Sequence, residues 1–336
     1  MATIKEIAER ANCSIGTVSR VLNFDESLRV SDEKKALILK IAEELQYKTI
    51  SQRNAKTHYK IGVVSMYTTL EELEDPFYLS IKLGVEKRIR DEKVELVVLN
   101  DTKDGYDFNK LKGVDGIIGI GHFTKADIKA FASITPNMVF VNANPNPAKY
   151  DAILFDHDNA VREVIDFLTR KGHTKIGFIG AQEMRESKRI DLHETRYVLV
   201  EKYLRARGIY DEKYIHHGGR TYHDGYRLMK NIIDTDELPT AFFIGNDSMC
   251  IGALTALYEA GIRVPNHMSL VGYNDITNAE FALPPLTTVK VYTELMGEKA
   301  YELLIDRLKG REIPLKIITP TRLIIRQTAG KPETDA

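Results

Sequence analysis

The sequence predicts an α/β protein in two parts: a small all-α helix-turn-helix head, followed by a much larger region of parallel sheets. Three observations predict it. Thr3 to Asn23 holds two short apolar stripes at helical spacing, separated by a break at Asn12-Cys13-Ser14. From Tyr59 the texture changes to short apolar runs alternating with amphipathic stretches, the pattern of strand–helix units in sheets covered on both faces. At 336 residues the chain holds enough of these units for two sheets, and enough length for more than one core.

The head begins where Thr3 and Glu6 fit a capping box, which starts a helix with Ile4, Ile7, Ala8 and Ala11 on one stripe. Ser14 can cap a second helix. Val18, Val21 and Leu22 form its short apolar face, and Ile15, Gly16, Thr17, Ser19, Arg20 and Asn23 form the other. Side chains that are small, hydroxylic, amidic or basic suit a helix in the DNA major groove. A third helix, capped by Ser31, should turn Leu37, Ile38, Ile41, Ala42 and Leu45 inward. Two short helices joined by a tight turn are also ordinary packing units, so spacing alone leaves packing and DNA binding both open.

The full string Thr17-Val18-Ser19-Arg20-Val21-Leu22-Asn23, so near Met1, closely resembles the head of the lactose/galactose repressor family of bacterial transcription regulators. On double-stranded operator DNA, Arg20 is then the candidate for bidentate contact to guanine, with Ile15 and Gly16 setting the neighbouring preference. Thr3, Ser14, Thr17, Ser19 and Asn23 are expected to bond phosphates.

Charge supports positioned contacts over bulk attraction. The net charge is −1. Residues 1–58 carry ten Lys/Arg against eight Asp/Glu, a local +2 that leaves −3 for the rest. The two cysteines, Cys13 and Cys250, form no pattern, and a reducing, cytoplasmic setting is the simplest reading. No apolar signal stretch and no long apolar span is present, so no membrane partner is expected.

After the third helix, Tyr47 to His58 is polar with three basic residues and no apolar period, which reads as a linker. The resemblance implies a hinge helix there that folds on the operator and drives a Leu into the minor groove. Thr49-Ile50 replaces the family's Pro-Asn, and Lys56 stands about where the Leu would be. Arg53 and Lys56 remain candidates for phosphate contact. Beyond it, expected strands are Ile61–Ser65, Val94–Asn100, Gly116–Ile120, Met138–Asn142, Lys175–Gly180, Ala241–Gly245 and Ser269–Gly272. Expected helices include Tyr78–Asp91, Asn159–Lys171, Glu194–Arg207, Gly225–Ile233 and Ser248–Ala260. In such folds ligands sit beyond the carboxyl ends of strands, often between domains.

Further strings extend the resemblance over nearly the whole chain. Arg170 to Gly180 looks like the helix-to-strand turn of the family's effector domain. Phe243-Ile244-Gly245-Asn246-Asp247 and Val271-Gly272-Tyr273-Asn274-Asp275 look like its binding loops, and Leu283 to Val289 like its crossover between lobes. Asp75-Pro76-Phe77-Tyr78 and the run from Asn274 to Gly297 look most like the branch that regulates galactose and β-galactoside genes. The resemblance implies a head at 1–47, a hinge at 48–58, a two-lobed periplasmic-binding-protein-like domain at 59–330, and a tail at 331–336. The first lobe would take about 59–157 and 291–319, the second about 158–290 and 320–330.

A sugar is held by planar polar groups that bridge hydroxyls, with an aromatic or aliphatic wall against the ring. The family's effector positions fall here on Asp75, Phe77, Asn142, Arg196, Asn246 and Asn274. Each has an ordinary alternative. Asn246 and Asn274 could cap helices, Arg196 could pair with Glu194 or Glu201, and Phe77 could be core. Arg220 stands where the family often places an aromatic, with Tyr222 two residues on, and either could face the pocket.

Enzyme readings find little support. Gly116, Gly119 and Gly121 do not make a dinucleotide fingerprint and better suit close strand packing. No phosphate-cradling loop or Gly-x-Ser-x-Gly elbow occurs. His157-Asp158 and His216-His217 lack metal-ligand spacing and read as exposed turn residues. The expectation is a repressor controlled by a small sugar, galactose or a galactoside, with no cofactor and no metal. The rivals are a purine or sugar-phosphate effector, a sugar-modifying enzyme fused to a head, and a sugar-binding protein without DNA function. The tail after Arg326 has no heptads, which predicts a homodimer through the helix at Tyr78–Asp91, not a tetramer.

Overall fold

The computed structural model describes residues 3–23, 25, 27–47, 58–90, 92–102, 104–181, 195–235 and 237–333. The chain divides into two compact units, Met1–Thr57 and His58–Ala336. The hinge candidates Arg53 and Lys56 lie outside the described residues.

The first unit holds α1 (Ile4–Arg10), α2 (Ile15–Leu22) and α3 (Asp32–Glu44). Thr3, Ser14 and Ser31 cap them, each side chain accepting the N–H of the third residue on. The expected capping box at α1 is only half formed. Thr3 accepts from Glu6, but the Glu6 carboxylate turns away to Arg10 at 3.3 Å, one turn further along the exposed face. Ile7, Ala8, Ala11, Val18, Val21, Ile38, Ile41 and Ala42 close the core between the helices. Leu37, expected inward, is 41% exposed. In α3 the stripe Ile38–Ile41–Ala42 faces α1 and α2, and one residue back along the helix is about 100° away.

The second unit contains two six-stranded sheets. In chain order come β1 (Tyr59–Ser65), α4 (Thr69–Glu74), α5 (Phe77–Ile89), β2 (Val94–Asn100), β3 (Gly116–Ile120), α6 (Lys125–Ile134), β4 (Met138–Val141) and β5 (Asp151–Phe155). Next are α7 (His157–Lys171), β6 (Ile176–Ala181), α8 (Thr195–Arg205), β7 (Ile215–Gly218), α9 (Tyr222–Ile233), β8 (Ala241–Ile244) and α10 (Asp247–Glu259). The chain ends with β9 (Ser269–Asn274), α11 (Thr277–Phe281), β10 (Thr288–Val291), α12 (Thr293–Leu308), β11 (Lys316–Thr319) and β12 (Thr321–Ile324).

One sheet runs β11-β5-β4-β3-β1-β2 and is parallel throughout. The other runs β12-β10-β9-β8-β6-β7. The all-parallel expectation fails only at its edge, where β12 pairs antiparallel with β10. Pro320 alone separates β11 from β12, so the chain passes from one sheet to the other without a covering helix. It also crosses after β5 and after β10, so each sheet is built from interleaved stretches.

Helices cover these sheets closely where glycine permits. A Cβ on Gly84 of α5 would lie 2.2 Å from the Glu294 carbonyl oxygen, and one on Gly297 of α12 would lie 2.0 Å from that of Ile81. Any side chain at either position would push the two helices apart. In the second sheet, Gly172 closes α7 in the left-handed region at φ 102. His173 follows, almost fully buried, and its ring bonds Thr240 at 2.8 Å and the Gly330 carbonyl at 3.2 Å. That turn fixes where β6 starts.

Candidate functional site

In the first unit, the outer face of α2 presents Ser14, Ile15, Gly16, Arg20 and Asn23 exposed, with Thr17 and Ser19 half-buried beside them. Ile15 is 48% exposed, an apolar group on a face otherwise small and polar. The Ser14 oxygen accepts the Thr17 N–H at 3.0 Å and lies 2.9 Å from the Thr17 hydroxyl. Between the two hydroxyls one O–H proton stays free to donate outward. Arg20 is held in place: its Nε donates to Asp25 at 2.7 Å and its Nη2 to the Ser27 hydroxyl at 2.8 Å. Through these bonds Arg20 and Ser27 hold the Asp25 carboxyl down at about 2. The guanidinium is thus preset on the outer face by a neighbouring loop.

In the second unit, Asp75, Phe77, Asn142, Arg196, Asn246 and Asn274 line one cavity of about 360 Å³. They arrive from separate elements. Asp75 ends α4, Phe77 opens α5, and Asn142 follows β4 with φ 60. Arg196 lies in the first turn of α8, Asn246 caps α10, and Asn274 ends β9 with φ 114. Four of the six thus stand at strand ends or on helix caps, where backbone N–H groups and polar side chains face a crevice. A larger space of about 500 Å³ shares Phe77 and Asn274 with it. Its charges already neutralise one another, Lys87 with Glu294 and Glu298, and Lys290 with Asp275. The six expected residues meet around the smaller cavity.

Around Phe77, the walls contain further aromatic rings that the sequence alone did not select. Tyr67 and Tyr78 meet edge-to-face with centroids 4.5 Å apart, and Phe77 packs against Tyr78 and Phe155. His157, expected as an exposed turn residue, instead begins α7 and lines the cavity. Its ring lies 4.1 Å from that of Phe155 and is stacked 6.2 Å from that of Tyr273. Burial, with the nearby charge of Arg196, pushes its pKa down to about 3, so the imidazole is neutral. His216 and His217 are not turn residues either; they lie on β7. Among the described residues no His, Cys, Asp and Glu cluster could hold a metal ion.

The wall question between Arg220 and Tyr222 is resolved by position. Arg220 lines the cavity, its guanidinium 4.7 Å from the Tyr67 ring centre and 3.8 Å from Glu71. Tyr222 accepts a bond from Asn278 at 3.2 Å and is absent from the lining. Arg196 donates to the Gly245 carbonyl and lies over the Tyr273 ring at 5.3 Å. Of its alternative partners, Glu201 is engaged by Arg205 at 2.8 Å, and Glu194 lies outside the described residues.

Asn246 is both a helix cap and part of the cavity lining. Its Oδ1 accepts the Met249 N–H at 2.7 Å and caps α10, while its Nδ2 donates to the Arg220 carbonyl at 2.9 Å and reaches Asp75 at 3.4 Å. Asp75 is nearly buried, and its three named bonds, from Tyr67, the Phe77 N–H and Asn246, are all 3.4 Å long. Burial raises its carboxyl to about 6, against the pull of the Phe77 N–H and the positive charges of Arg220 and Arg196. A carboxylate so weakly satisfied retains acceptor capacity for ligand hydroxyls. Asn274, 8% exposed, and the Oδ1 of Asn142 face the same space, while the Asn142 Nδ2 donates to Tyr78 at 3.0 Å.

Comparison with known proteins agrees with both units. Residues 3–49 match the model of the lacI family of bacterial regulatory proteins, and residues 165–329 match a periplasmic binding protein-like domain. The HTH-type transcriptional repressor MelR of Bacillus subtilis (strain 168) is 40% identical over 340 residues, covering 98% of each chain. Among solved structures, the complex of the transcriptional regulator CelR with cellobiose superposes with a TM-score of 0.69 at 25% identity, covering 98% of this chain and 100% of that one. The lac repressor dimer bound to operator and the anti-inducer ONPF gives 0.68 at 25% identity, covering 98% and 99%. A helical head with an exposed, mostly polar helix face, two interleaved sheets around a cavity lined by polar and aromatic side chains, and relatives named as regulators lead to one conclusion: the chain belongs to the lacI family of bacterial regulatory proteins and is a helix-turn-helix transcriptional regulator, not an enzyme.

Proposed function

We propose that this regulator represses genes for galactose or β-galactoside use, and that a sugar bound in the cavity of the second unit sets its operator affinity. The carrying observation is the convergence of six residues from six separate elements on one space, with planar amides and guanidiniums beside aromatic rings. Arg196 would clamp hydroxyls, Asp75, Asn142 and Asn274 would accept or donate to them, and Phe77 would flank the ring. Asn246 would act through its contact edge while holding α10. The cavity reaches residues whose strands belong to different sheets, so a ligand there binds one lobe arrangement better and shifts its population.

On DNA, α2 would enter the major groove with Arg20 on guanine, while Thr3, Ser14, Thr17, Ser19 and Asn23 contact phosphates. Arg53 would add a phosphate contact from the hinge. The operator would be a pseudo-palindrome read by a homodimer. Support for a dimer face comes from α4 and α5, which expose Leu70, Leu73 and Leu83. No helix among the described residues is long and apolar enough to cross a membrane. We place the protein in the cytoplasm, with its DNA.

One observation favours a second reading, a sugar phosphate: two guanidiniums, Arg196 and Arg220, line the cavity. Titrating operator binding with galactose, lactose, galactose phosphate and purines decides between them. Release by galactose or lactose alone supports the proposal; a response only to the phosphate or to purines replaces it.

A further inference from the structure

A guanidinium offers its N–H donors along two edges, and the edge already spent decides what an arginine can read. The Arg20 Nε donates to Asp25 Oδ2 at 2.7 Å, and its Nη2 donates to the Ser27 hydroxyl at 2.8 Å. The Ser27 hydroxyl donates in turn to Asp25 Oδ1 at 2.6 Å. Three side chains thus close a ring in which each bond has one donor and one acceptor. The ring consumes the side edge of the guanidinium, formed by Nε and Nη2. The end edge, formed by Nη1 and the second N–H of Nη2, has no partner among the described residues. It is a fork of two parallel donors.

The backbone anchors this ring to the helix that carries Arg20. The Asp25 N–H donates to the Arg20 carbonyl at 3.0 Å, and the Ser27 N–H donates to Asp25 Oδ1 at 2.9 Å. One residue on, the Leu28 N–H donates to the Asp25 carbonyl at 3.2 Å, and its side chain packs half-buried against the head core. The loop therefore cannot drift while the three helices hold. Its bonds to Arg20 and Ser27 keep the Asp25 carboxyl ionised. The Arg20 side chain is still 48% exposed, so the ring holds the arm without covering its end edge.

Resting on the reading of Arg20 as a guanine contact, we propose that Asp25, with Ser27, is a positioning residue for operator recognition: it presents the end edge of Arg20 to a base and bars the guanidinium from the phosphates. The end edge matches guanine, which offers the acceptors N7 and O6 side by side. Adenine sets an amino donor against one arm of the fork, cytosine offers a donor and thymine a methyl group. An arm tied at its side edge cannot swing away from such a mismatch, so the wrong base carries its full penalty. Without the tie, the arm could turn to a neighbouring phosphate and soften that penalty. With it, a phosphate contact would bring the Asp25 carboxylate against a like charge. The tie therefore adds selectivity more than affinity.

The test uses the full chain without sugar, and a duplex that the wild type selects from a randomised pseudo-palindromic library. The pair read by Arg20 is the one whose preference Arg20→Ala loses. Fluorescence anisotropy then compares the selected duplex, duplexes with that pair replaced, and a scrambled duplex of equal length. In Asp25→Ala the preference for guanine at that pair, taken as the ratio of dissociation constants, should fall about fivefold or more. Affinity for the scrambled duplex should hold or rise, because a negative charge has left the DNA face. Ser27→Ala, which removes only the exposed hydroxyl, should lower the preference in the same direction by about twofold or more. Added to Arg20→Ala, Asp25→Ala should change the preference no further, since it acts through Arg20. A wild-type preference in either single variant overturns the assignment, as does a further fall in the double variant. Equal weakening on every duplex also overturns it, because a merely structural loop would give that result. If no duplex is selected, or Arg20→Ala loses no preference, the guanine reading and this one fall together. If Arg20→Ala loses the preference and Asp25→Ala keeps it, this one falls alone.

Discussion

In the head, the groups offered to DNA between Ser14 and Asn23 come from one helix and its cap, so their order in the chain is their order in space. The cavity is lined by side chains drawn from Tyr67 to Asn274, and no two of its six expected residues share an element. The head's chemistry therefore depends on a few core side chains under a single helix. The cavity's chemistry depends on two sheets, on the crossings between them and on strand ends held in unusual backbone conformations. Damage to the head should be local and complete, whereas damage to the cavity should be graded by residue.

The largest expected effect tests that independence. Ile38 is fully buried in a core of three short helices. Ile38→Ala should cost about 2–5 kcal/mol, which a unit this small can hardly withstand. Operator binding should vanish in a mobility-shift assay, while calorimetric sugar affinity stays at the wild-type value. A parallel loss of sugar binding would mean that the units do not fail separately.

Arg196→Ala comes next. Loss of its charge-assisted bonds to hydroxyls should weaken sugar binding by about 2–4 kcal/mol, and the sugar response of operator binding should go with it. Operator affinity without sugar should survive. An unchanged response in a fluorescence titration would return Arg196 to a structural role on the Gly245 carbonyl.

Asp75 sharpens the comparison through pH. Its carboxyl rises from 3.8 to about 6 on burial, so the native state binds the proton more tightly than the unfolded chain. The stability this gives is full below pH 4 and is lost as pH rises through 6, up to about 3 kcal/mol at about 1.4 kcal/mol per unit. Asp75→Asn never ionises. Its melting temperature relative to wild type should climb between pH 4 and pH 6 and then level off; a difference that is flat across this window would show that the carboxyl titrates normally.

Arg20→Ala should have the smallest effect in free energy, about 1–3 kcal/mol, and the most selective one. Binding should weaken for the correct operator and lose preference at one base pair per half-site. Equal weakening on all sequences, read by competition against randomised half-sites, would make Arg20 a phosphate contact. Asp25→Ala offers a finer check, since it removes the acceptor that presets the guanidinium.

How much of this was legible follows the same division. The head was read almost residue by residue, because caps and helical periodicity are local properties of the chain. Thr3, Ser14 and Ser31 do cap the helices, and only the second half of one capping box and the facing of Leu37 were misjudged. In the second unit, Val94–Asn100 and Gly116–Ile120 were found with their observed ends, since they are long or uniformly apolar. Strands Asp151–Phe155, Ile215–Gly218, Thr288–Val291, Lys316–Thr319 and Thr321–Ile324 were not recognised. They are short, partly polar, and exist because a distant strand offers its edge: β11 pairs with β5 across about 160 residues of sequence.

The sequence by itself determined the two-part plan and the family, and named residue types suited to a ligand, because composition, periodicity and motif strings lie along the chain. Tertiary structure decided which of those residues face one space. It made Asn246 both cap and cavity wall, brought His157 in from a supposed turn, and chose Arg220 over Tyr222. None of these outcomes has a local signal. Each follows from how strands far apart in the chain pair, and so from the side of the sheet on which each connecting turn ends.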